Sequence, residues 1–453
     1  MRSVNPATGE ELANYEDHDG DDVDAALGAA TNAFESWADR NVEERCDLLD
    51  DAADVLREKT ETYAELMTEE MGKPIDQARS EVEKCAWVCE YYAEHAPEQL
   101  QTERMASDAG ERAEVRYEPL GPVLAVMPWN FPFWQVFRFA APNLAAGNVG
   151  LLKHASNVPG CALAIEEVFE EAGFPEDAFQ SLLIGSDLVE DVIRDDRVVA
   201  ATLTGSERAG RSVGETAGNE LKKTVLELGG SDPFVVLDDA DVQQAAETGA
   251  WARVQNSGQS CIAAKRFIVH ADVYDEFVDA FVDEMDDFEV GDPKDADTDV
   301  GPQAREDLLE DMHEQVRQSV EDGATVQTGG EPLDWDGPYY PPTVLTDVPR
   351  DSRAATEEVF GPAAAVFRAR DEDHAVEIAN DTKYGLGANL WTEDRERADR
   401  LADELRAGSV FVNSYVGSDP RLPFGGIKAS GYGRELSEHG IREFVNRKTV
   451  HVE

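Results

Sequence analysis

From Val123 onward the hydrophobic pattern of this chain changes period, and that change constrains the fold more than any other feature. Short apolar runs at Val123–Met127, Gly150–Lys153, Val198–Leu203, Val225–Leu228 and Phe234–Leu237 alternate with helical stretches at Val136–Ala146, Pro159–Ala172, Leu188–Asp195 and Arg208–Gly218. A strand covered on both faces reads as an unbroken apolar run, whereas an amphipathic helix repeats its apolar residues every three or four positions. Alternation of the two predicts parallel βαβ units, hence an α/β domain. A second alternation predicts another α/β domain between about 230 and 420. It holds helix Asp241–Gln255, strand Arg266–His270, helices Val273–Asp287 and Arg305–Asp322, strand Thr325–Thr328, strands within 339–349 and 363–368, and helix Asp371–Asn380. Ahead of both, Val23–Trp37, Arg45–Lys59, Thr60–Met71 and Ile75 to about His95 read as helices, with a break at Gly72-Lys73-Pro74. Val115–Tyr117, followed by Pro119 and Gly121, predicts a hairpin-like excursion, and the tail from about Ile427 ends in a strand at Thr449–Val452.

Charge narrows the function. Asp and Glu number 95 against 40 Lys and Arg, a net charge of −55. Phosphate and anionic lipid would both repel such a surface, so neither nucleic acid nor a membrane is an expected partner. No apolar run approaches the ~18 residues of a membrane span, and the first 25 residues hold no apolar signal core. Disorder does not fit either, because 42% of residues are hydrophobic and the acids are dispersed; even the runs Asp283–Asp287 and Asp292–Asp299 lie between apolar segments. An acidic solvent face repels itself unless salt screens it, which predicts a halophile's enzyme working in concentrated salt. The five cysteines, 46, 85, 89, 161 and 261, are an odd number, as expected of free thiols in a reducing cytoplasm. Cys85 and Cys89, four apart in one helix without a second ligand pair, read as buried helix residues; no metal site is expected.

Candidate chemistry sits at the ends of the apolar runs, where α/β sheets place their sites. Asn256-Ser-Gly-Gln-Ser-Cys261 puts a thiol after a Gly-containing turn, the setting of a nucleophile, although a lone Cys reads more often as a small buried hydrophobe. Glu227 closes a strand and precedes Gly229 and Gly230; it is a base candidate or one more acid among many. Pro128-Trp-Asn-Phe-Pro132 fixes Asn130, whose amide is the kind of donor an oxyanion hole uses, or the segment is a plain Pro-bounded turn. Thr204-Gly-Ser206 with Gly210 opens a helix after a strand, a weak anion-binding signal on its own.

In order along the chain, these motifs join Leu152-Lys-His-Ala-Ser156, Glu227-Leu-Gly-Gly230, Glu357-Glu-Val-Phe-Gly-Pro362, Pro423-Phe-Gly-Gly426 and Gly431-Tyr-Gly-Arg-Glu435. The set resembles the aldehyde dehydrogenase superfamily, from Asn5-Pro-Ala-Thr-Gly-Glu10 to the C-terminus. Lys-His-Ala-Ser-Asn-Val, Glu-Leu-Gly-Gly-Ser-Asp-Pro-Phe and Ala263-Ala-Lys-Arg-Phe267 resemble its succinate-semialdehyde dehydrogenase branch. His154 after the lysine, where the wider family carries Pro or a small residue, is that branch's pattern.

The resemblance implies an aldehyde dehydrogenase-like α/β fold with two parallel-sheet domains and a small oligomerisation arm. Residues 1–110 and 124–229 would bind the cofactor, 230–426 would form the catalytic domain, and 111–123 with 427–453 the arm of a homodimer or homotetramer. It implies Cys261 as nucleophile, Asn130 and the Cys261 N–H as oxyanion hole, and Glu227 as general base. NADP or NAD would meet Trp129, Asn130, Lys153, His154, Ala155, Ser156, Gly205, Ser206, Leu228, Glu358 and Phe360. Ser156 stands where NAD-preferring relatives often carry a Glu that repels a 2′-phosphate, so NADP is admitted, with a protonated His154 adding charge. For a substrate carboxylate it implies Arg138 and Ser418, with Arg421 nearby and Trp134 walling the tunnel. Arg138 also reads as an ion-pair partner for an acid. A broader-range aldehyde dehydrogenase and a non-catalytic paralogue are the other readings; an acidic ion-binding protein lacks a calcium-loop pattern.

Overall fold

The computed structural model describes residues 1–105 and 112–453. The expected boundary at 110–111 lies outside them. A six-stranded sheet runs in the order Gly431–Tyr432, Lys223–Glu227, Ala200–Thr204, Pro122–Met127, Val149–His154, Phe179–Ser181. All neighbours in it are parallel except the first pair. A seven-stranded sheet runs Thr325–Thr328, Thr343–Thr346, Ala363–Ala369, Ala264–His270, Asp232–Val236, Gly387–Trp391, Ser409–Val412, with only its first pair antiparallel. The alternating pattern of the sequence therefore becomes two parallel sheets. Its apolar runs are continuous because both faces are covered. Val235, Leu237 and Ile268 enter one core of the second sheet, while Phe234, Val236, Phe267 and Val269 enter the other. Each such side chain contributes roughly 1.5–3 kcal/mol by leaving water.

The four early helices form at Gly20–Ala38, Val42–Glu58, Thr60–Met71 and Ile75–Gln99. Helix Trp134–Ala146 is buried along its whole length and has no side-chain cap of its own. Its orphan N–H groups are met from outside: Glu81 accepts from the N–H of Phe133 and of Trp134, both at 2.9 Å. A buried carboxylate at a helix N-terminus also complements the dipole, and the Lys73 ammonium pairs with it. Glu81 thereby fixes the loop carrying Asn130.

The excursion near Val115 and the tail meet. Val445–Val452 pairs antiparallel with Arg112–Pro119, and Glu103–Arg104 completes a three-stranded sheet. Before reaching it, Gly431–Tyr432 returns to the first sheet beside Glu227 and Leu226. Strands Phe179–Ser181, Gly387–Trp391 and Ser409–Val412, the N-terminal pair Arg2–Val4 with Glu11–Asn14, and helix Arg395–Glu404 were not expected from the sequence. Among the described residues no helix is long and apolar enough to cross a membrane.

Candidate active site

Helix Val242–Val254 ends in a turn that ordinary residues rarely make. Asn256 (φ 53°, ψ 39°) and Ser257 (φ 54°, ψ 33°) are both left-handed, and Gly258 follows at φ 73°. Such residues each cost of order 1–3 kcal/mol and persist only where their surroundings fix them. Here they do. Asn256 Nδ2 donates to Asn130 O at 2.7 Å, and its N–H to Gln77 Oε1 at 2.6 Å. Ser257 Oγ accepts from Gly301 N–H at 2.9 Å, and Gln303 Nε2 donates to Ser257 O at 3.1 Å. A side chain at Gly258 would put a Cβ 2.3 Å from Gly361 C. The turn delivers Cys261, the one cysteine of five that is not buried. Behind it the buried Lys265 ammonium donates to Ser260 O, Cys261 O and Ala263 O at 2.9, 2.8 and 3.0 Å, using all three of its protons on the nucleophile loop.

The environment of Cys261 sets its acidity. Burial of the sulfur pushes the thiol up to about 12, opposed by the positive charges of Arg138 and Lys265. The Cys261 N–H donates to no acceptor among the described residues. Asn130 is buried and oriented: its Nδ2 donates to Gln259 O at 2.9 Å, leaving one amide proton, and its Oδ1 accepts from Gln135 at 3.3 Å. Glu227 is 2% exposed and neither carboxylate oxygen has a hydrogen-bond partner. Burial, then the nearby Glu435, raise its pKa well above the carboxylate range, while Arg138 and Arg434 oppose the shift. A Cβ on Gly425 would lie 2.5 Å from Glu227 Oε1, so Gly425 makes room for this acid. Three residues on, Gly230 backs onto the Cys261 carbonyl. A protonated carboxyl with no partner is a group kept free to take and give a proton.

Cys261 opens into a cavity of about 600 Å³ bordered by Lys84, Trp134, Arg138, Gln255 and Ser418. Trp134 and Ser418, both expected at the substrate, line this cavity. Arg138 borders the cavity; its Nε pairs with buried Glu435, its Nη2 donates to Thr204 Oγ1 at 3.4 Å, and its guanidinium lies over Phe424 at 4.4 Å. The ion-pair reading of that arginine is met at Nε, and the clamp reading, which needs the terminal nitrogens, stands beside it. Arg421 pairs with Asp419 and lies over Trp87, away from the cavity wall.

The residues expected at the cofactor do not line this cavity. Trp129 and Phe360 meet edge-on, ring centres 5.8 Å apart. Glu358 Oε1 accepts from Gly230 N–H at 3.0 Å and lies 3.9 Å from the Lys265 ammonium, which links this acid to the nucleophile loop. Ser206 caps helix Glu207–Asn219, accepting from Ala209 N–H at 3.3 Å. The Glu207 and Arg208 N–H groups have no acceptor among the described residues, and Gly205 N–H donates to Glu227 O at 2.9 Å. Leu228 N–H donates to Ser430 O at 2.9 Å. Lys153 is half-buried without an acidic partner among the described residues, and Ser156 is exposed. A lysine lacking a counter-charge, a neutral hydroxyl, an open helix N-terminus and a carboxylate suit a dinucleotide's phosphates and ribose hydroxyls.

His154 departs from expectation. Its ring is buried, Ala155 N–H donates to Nδ1 at 2.9 Å, and Nε2 reaches Pro132 O at 2.8 Å. The neutral Nε2–H tautomer satisfies both contacts, and burial pushes the pKa down to about 4. His154 braces the Asn130 loop and supplies no charge to a phosphate. Lys84 and Lys265 escaped sequence reasoning as site residues. Lys265 stood inside Ala263-Ala-Lys-Arg-Phe267, and only its neighbours in space reveal its task. Among the described residues no cluster of three His, Cys, Asp or Glu is placed to hold a metal ion.

Comparison with known proteins agrees with this geometry. The sequence profile of the aldehyde dehydrogenase family matches residues 1–450. The NADP(+) succinate-semialdehyde dehydrogenase 1 of Mycobacterium bovis is 54% identical over 452 residues, 99% of either chain. The probable NADP(+) succinate-semialdehyde dehydrogenase of Synechocystis is 52% identical over 450 residues, again 99% of either chain. The crystal structure of succinic semialdehyde dehydrogenase from Streptococcus pyogenes in complex with NADP+ superposes with a TM-score of 0.97 at 39% identity, covering 100% of this chain and 99% of that one.

Proposed function

The chain belongs to the aldehyde dehydrogenase family, and from that premise we propose that it oxidises succinate semialdehyde to succinate with NADP+ or NAD+. The observation that carries the chemistry is half-buried Cys261, its own N–H unbonded among the described residues, on a cavity that Arg138, Lys84 and Ser418 border. Cys261 Sγ attacks the aldehyde carbon, and its proton passes to Glu227, which has no competing partner. The aldehyde oxygen becomes an oxyanion held by the free Asn130 amide proton and the Cys261 N–H. Trp129, Lys153, Ala155, Ser156, Gly205, Ser206, Leu228, Glu358 and Phe360 would hold NADP+ or NAD+, which would supply the hydride acceptor needed to oxidise this adduct to a thioester. Once that first proton has passed from Glu227 to solvent, the carboxylate takes a proton from the water that attacks the thioester carbon, and the Cys261 thiolate leaves. Ionised Glu227 is a strong base because burial disfavours its charge, and Arg138 and Arg434 keep that charge attainable.

A broader-range aldehyde dehydrogenase has one observation in its favour, the Arg138–Glu435 pair, which takes positive charge out of the cavity. Initial rates separate the two. Succinate semialdehyde should be used with a kcat/KM at least ~10-fold above that of butanal, consistent with one charged contact, and alkylation of Cys261 by iodoacetamide should abolish the absorbance change at 340 nm. Equal rates on the two aldehydes would leave the broader reading, and no turnover before alkylation would make the chain a non-catalytic paralogue.

Around this site, residues 1–110 and 124–229 form the cofactor domain, 230–426 the catalytic domain, and 111–123 with 427–453 an oligomerisation arm. Support for the arm is the place of Val445–Val452 at the end of the described three-stranded sheet, a strand exposed along most of its length, as an element that continues a partner's sheet in a homodimer or homotetramer would be. Free thiols support a reducing cytoplasm, and the charge of −55 supports work in concentrated salt.

A further inference from the structure

Lys265 stands near the start of strand Ala264–His270 and turns its side chain back beneath the loop that precedes it. It is buried and takes no part in the cavity wall. A buried ammonium is costly unless its charge and its protons are met. Two acids lie close enough to act on it: Glu358, with Oε1 at 3.9 Å, and buried Asp232, whose Oδ2 has no hydrogen-bond partner among the described residues. Neither accepts a hydrogen bond from it. All three of its protons go instead to carbonyls of one short stretch, those of Ser260, Cys261 and Ala263. The ammonium therefore answers the backbone of the nucleophile loop, and the acids balance its charge from a distance.

The consequence falls on Cys261. The Ser260 carbonyl and the Cys261 N–H belong to one peptide group, and in a planar trans peptide the two point in opposite directions. Ser260 O is held twice, by Lys265 Nζ at 2.9 Å and by Ala263 N–H at 3.2 Å, so both of its lone pairs are engaged and the peptide plane is fixed. The Cys261 N–H is thereby turned away from Lys265, with no acceptor among the described residues, and is left free for the cavity that Ser260 and Cys261 line. A cation on the carbonyl also polarises the peptide, which makes its N–H a stronger donor. Resting on the proposed reading of the reaction, in which that N–H helps to hold the oxyanion, we infer that Lys265 is a positioning residue of the oxyanion hole: by holding the Ser260 carbonyl it aims and strengthens the Cys261 N–H.

Lys265 also bears on the thiol itself. Burial pushes the Cys261 thiol up, Arg138 and Lys265 oppose that shift, and Glu358 and Asp232 add to it. Two reagents separate this effect from the hole. With iodoacetamide the thiolate forms a bond to a saturated carbon as iodide leaves, and no oxyanion arises. With p-nitrophenyl acetate the thiolate adds to the ester carbon and the carbonyl oxygen takes the electron pair; collapse then expels p-nitrophenolate and leaves the acetyl group on sulfur as a thioester. The supply of thiolate enters both rates equally, so the ratio of acylation to alkylation reports the hole alone. Neither reaction needs a dinucleotide, and the other four cysteines are buried, so both report Cys261.

The test is the two second-order rate constants, read as release of p-nitrophenolate and as loss of the free thiol, in wild type, Lys265→Met and Lys265→Gln without cofactor. In Lys265→Met the ratio of acylation to alkylation should fall about 10- to 100-fold, less than for outright removal of an oxyanion donor because the N–H remains but is no longer aimed. Lys265→Gln, whose amide donates two hydrogen bonds without a charge, should lie between Lys265→Met and wild type. An unchanged ratio, with both rates falling alike, would reduce Lys265 to a charge beside the thiol and overturn the assignment. Should Lys265→Met not fold, Lys265→Gln decides: a wild-type ratio there overturns it. Failure of both variants to fold overturns it too, since Lys265 would then serve the fold rather than the hole. A wild type that iodoacetamide alkylates but the ester leaves untouched has no working oxyanion hole and overturns the reading of the reaction as well, so the two failures are told apart.

Discussion

The exterior and the catalytic cleft handle charge in opposite ways. Outside, several of the scarce cations hold two or more acids: Arg57 holds Glu83 and Glu90, Arg79 holds Glu61 and Asp76, and Arg397 holds Asp238, Asp239 and Glu372. In the cleft Glu227 has no hydrogen-bond partner, and Lys84 and Lys153 have no acid among the described residues. Paired charge is inert towards a ligand, whereas unpaired charge in a low-dielectric site responds strongly to whatever enters. The contrast separates residues that keep a highly acidic chain folded from those poised to act on a substrate.

Glu227→Gln breaks the comparison at its strongest point. The amide keeps size and shape but cannot accept a proton from water, so kcat should fall about 10²- to 10⁴-fold, the range of a lost general base. The raised pKa of Glu227 means that the wild type holds the proton at neutral pH, and its rate should rise with pH as the carboxyl ionises. In Glu227→Gln that rising limb should disappear, while a stoichiometric burst of NADPH remains, slowed because Cys261 also loses its proton acceptor. A burst followed by wild-type turnover would remove Glu227 from the deacylation step.

Ser156→Glu asks whether the residues expected at the cofactor depend on the same unpaired condition. A carboxylate there would oppose a 2′-phosphate and neutralise Lys153, so the KM for NADP+ should rise about 10- to 100-fold relative to that for NAD+, a like-charge cost moderated by exposure. The shift should shrink in molar KCl. An unchanged ratio of the two KM values would place the 2′-phosphate elsewhere.

What the sequence could and could not reveal follows the same division. Parallel strands buried on both faces leave unbroken apolar runs, so Val123–Met127 and Phe234–Leu237 were legible. Gly387–Trp391 was not, because Gly387 and Asn389 depress strand propensity; Asn389 is accommodated by a hydrogen bond from Val416 N–H at 2.8 Å, a tertiary compensation. Cys261, Asn130 and Glu227 stand in compact motifs and could be singled out. Lys84 could not, since on its helix it looks like any half-buried residue of an amphipathic face, and its value lies in the acid it lacks. Glu435 was visible in Gly431-Tyr-Gly-Arg-Glu435, yet nothing in the chain tied it to Arg138, almost three hundred residues away. Two left-handed residues before the nucleophile were equally hidden, because Asn and Ser carry no obligatory backbone signal.

The smallest effect should come from the exterior, and its smallness is the point. Arg57 joins helix Val42–Glu58 to helix Ile75–Gln99 through Glu83 and Glu90, with about a third of its side chain exposed. Removing it in Arg57→Gln loses an ion-pair cluster and leaves two acids facing each other. Exposed pairs are worth about 0–1 kcal/mol, so the loss of stability in dilute buffer should stay near that upper value. Arg57 holds the Glu90 carboxyl below its usual range. A depressed carboxylate contributes stability that is present above its unfolded pKa and fades as pH falls through the lower folded one. The difference between wild type and Arg57→Gln should thus be full at pH 7 and vanish in acid. At 1 M KCl the Debye length is about 3 Å, and both the lost attraction and the Glu83–Glu90 repulsion are screened, so the melting curves should converge. Melting temperatures of the two proteins across KCl concentration and pH decide this. A gap that persists in molar KCl would mean that Arg57 acts by packing its stem between the helices, and that surface charge and cleft charge are less separate than their pairing suggests.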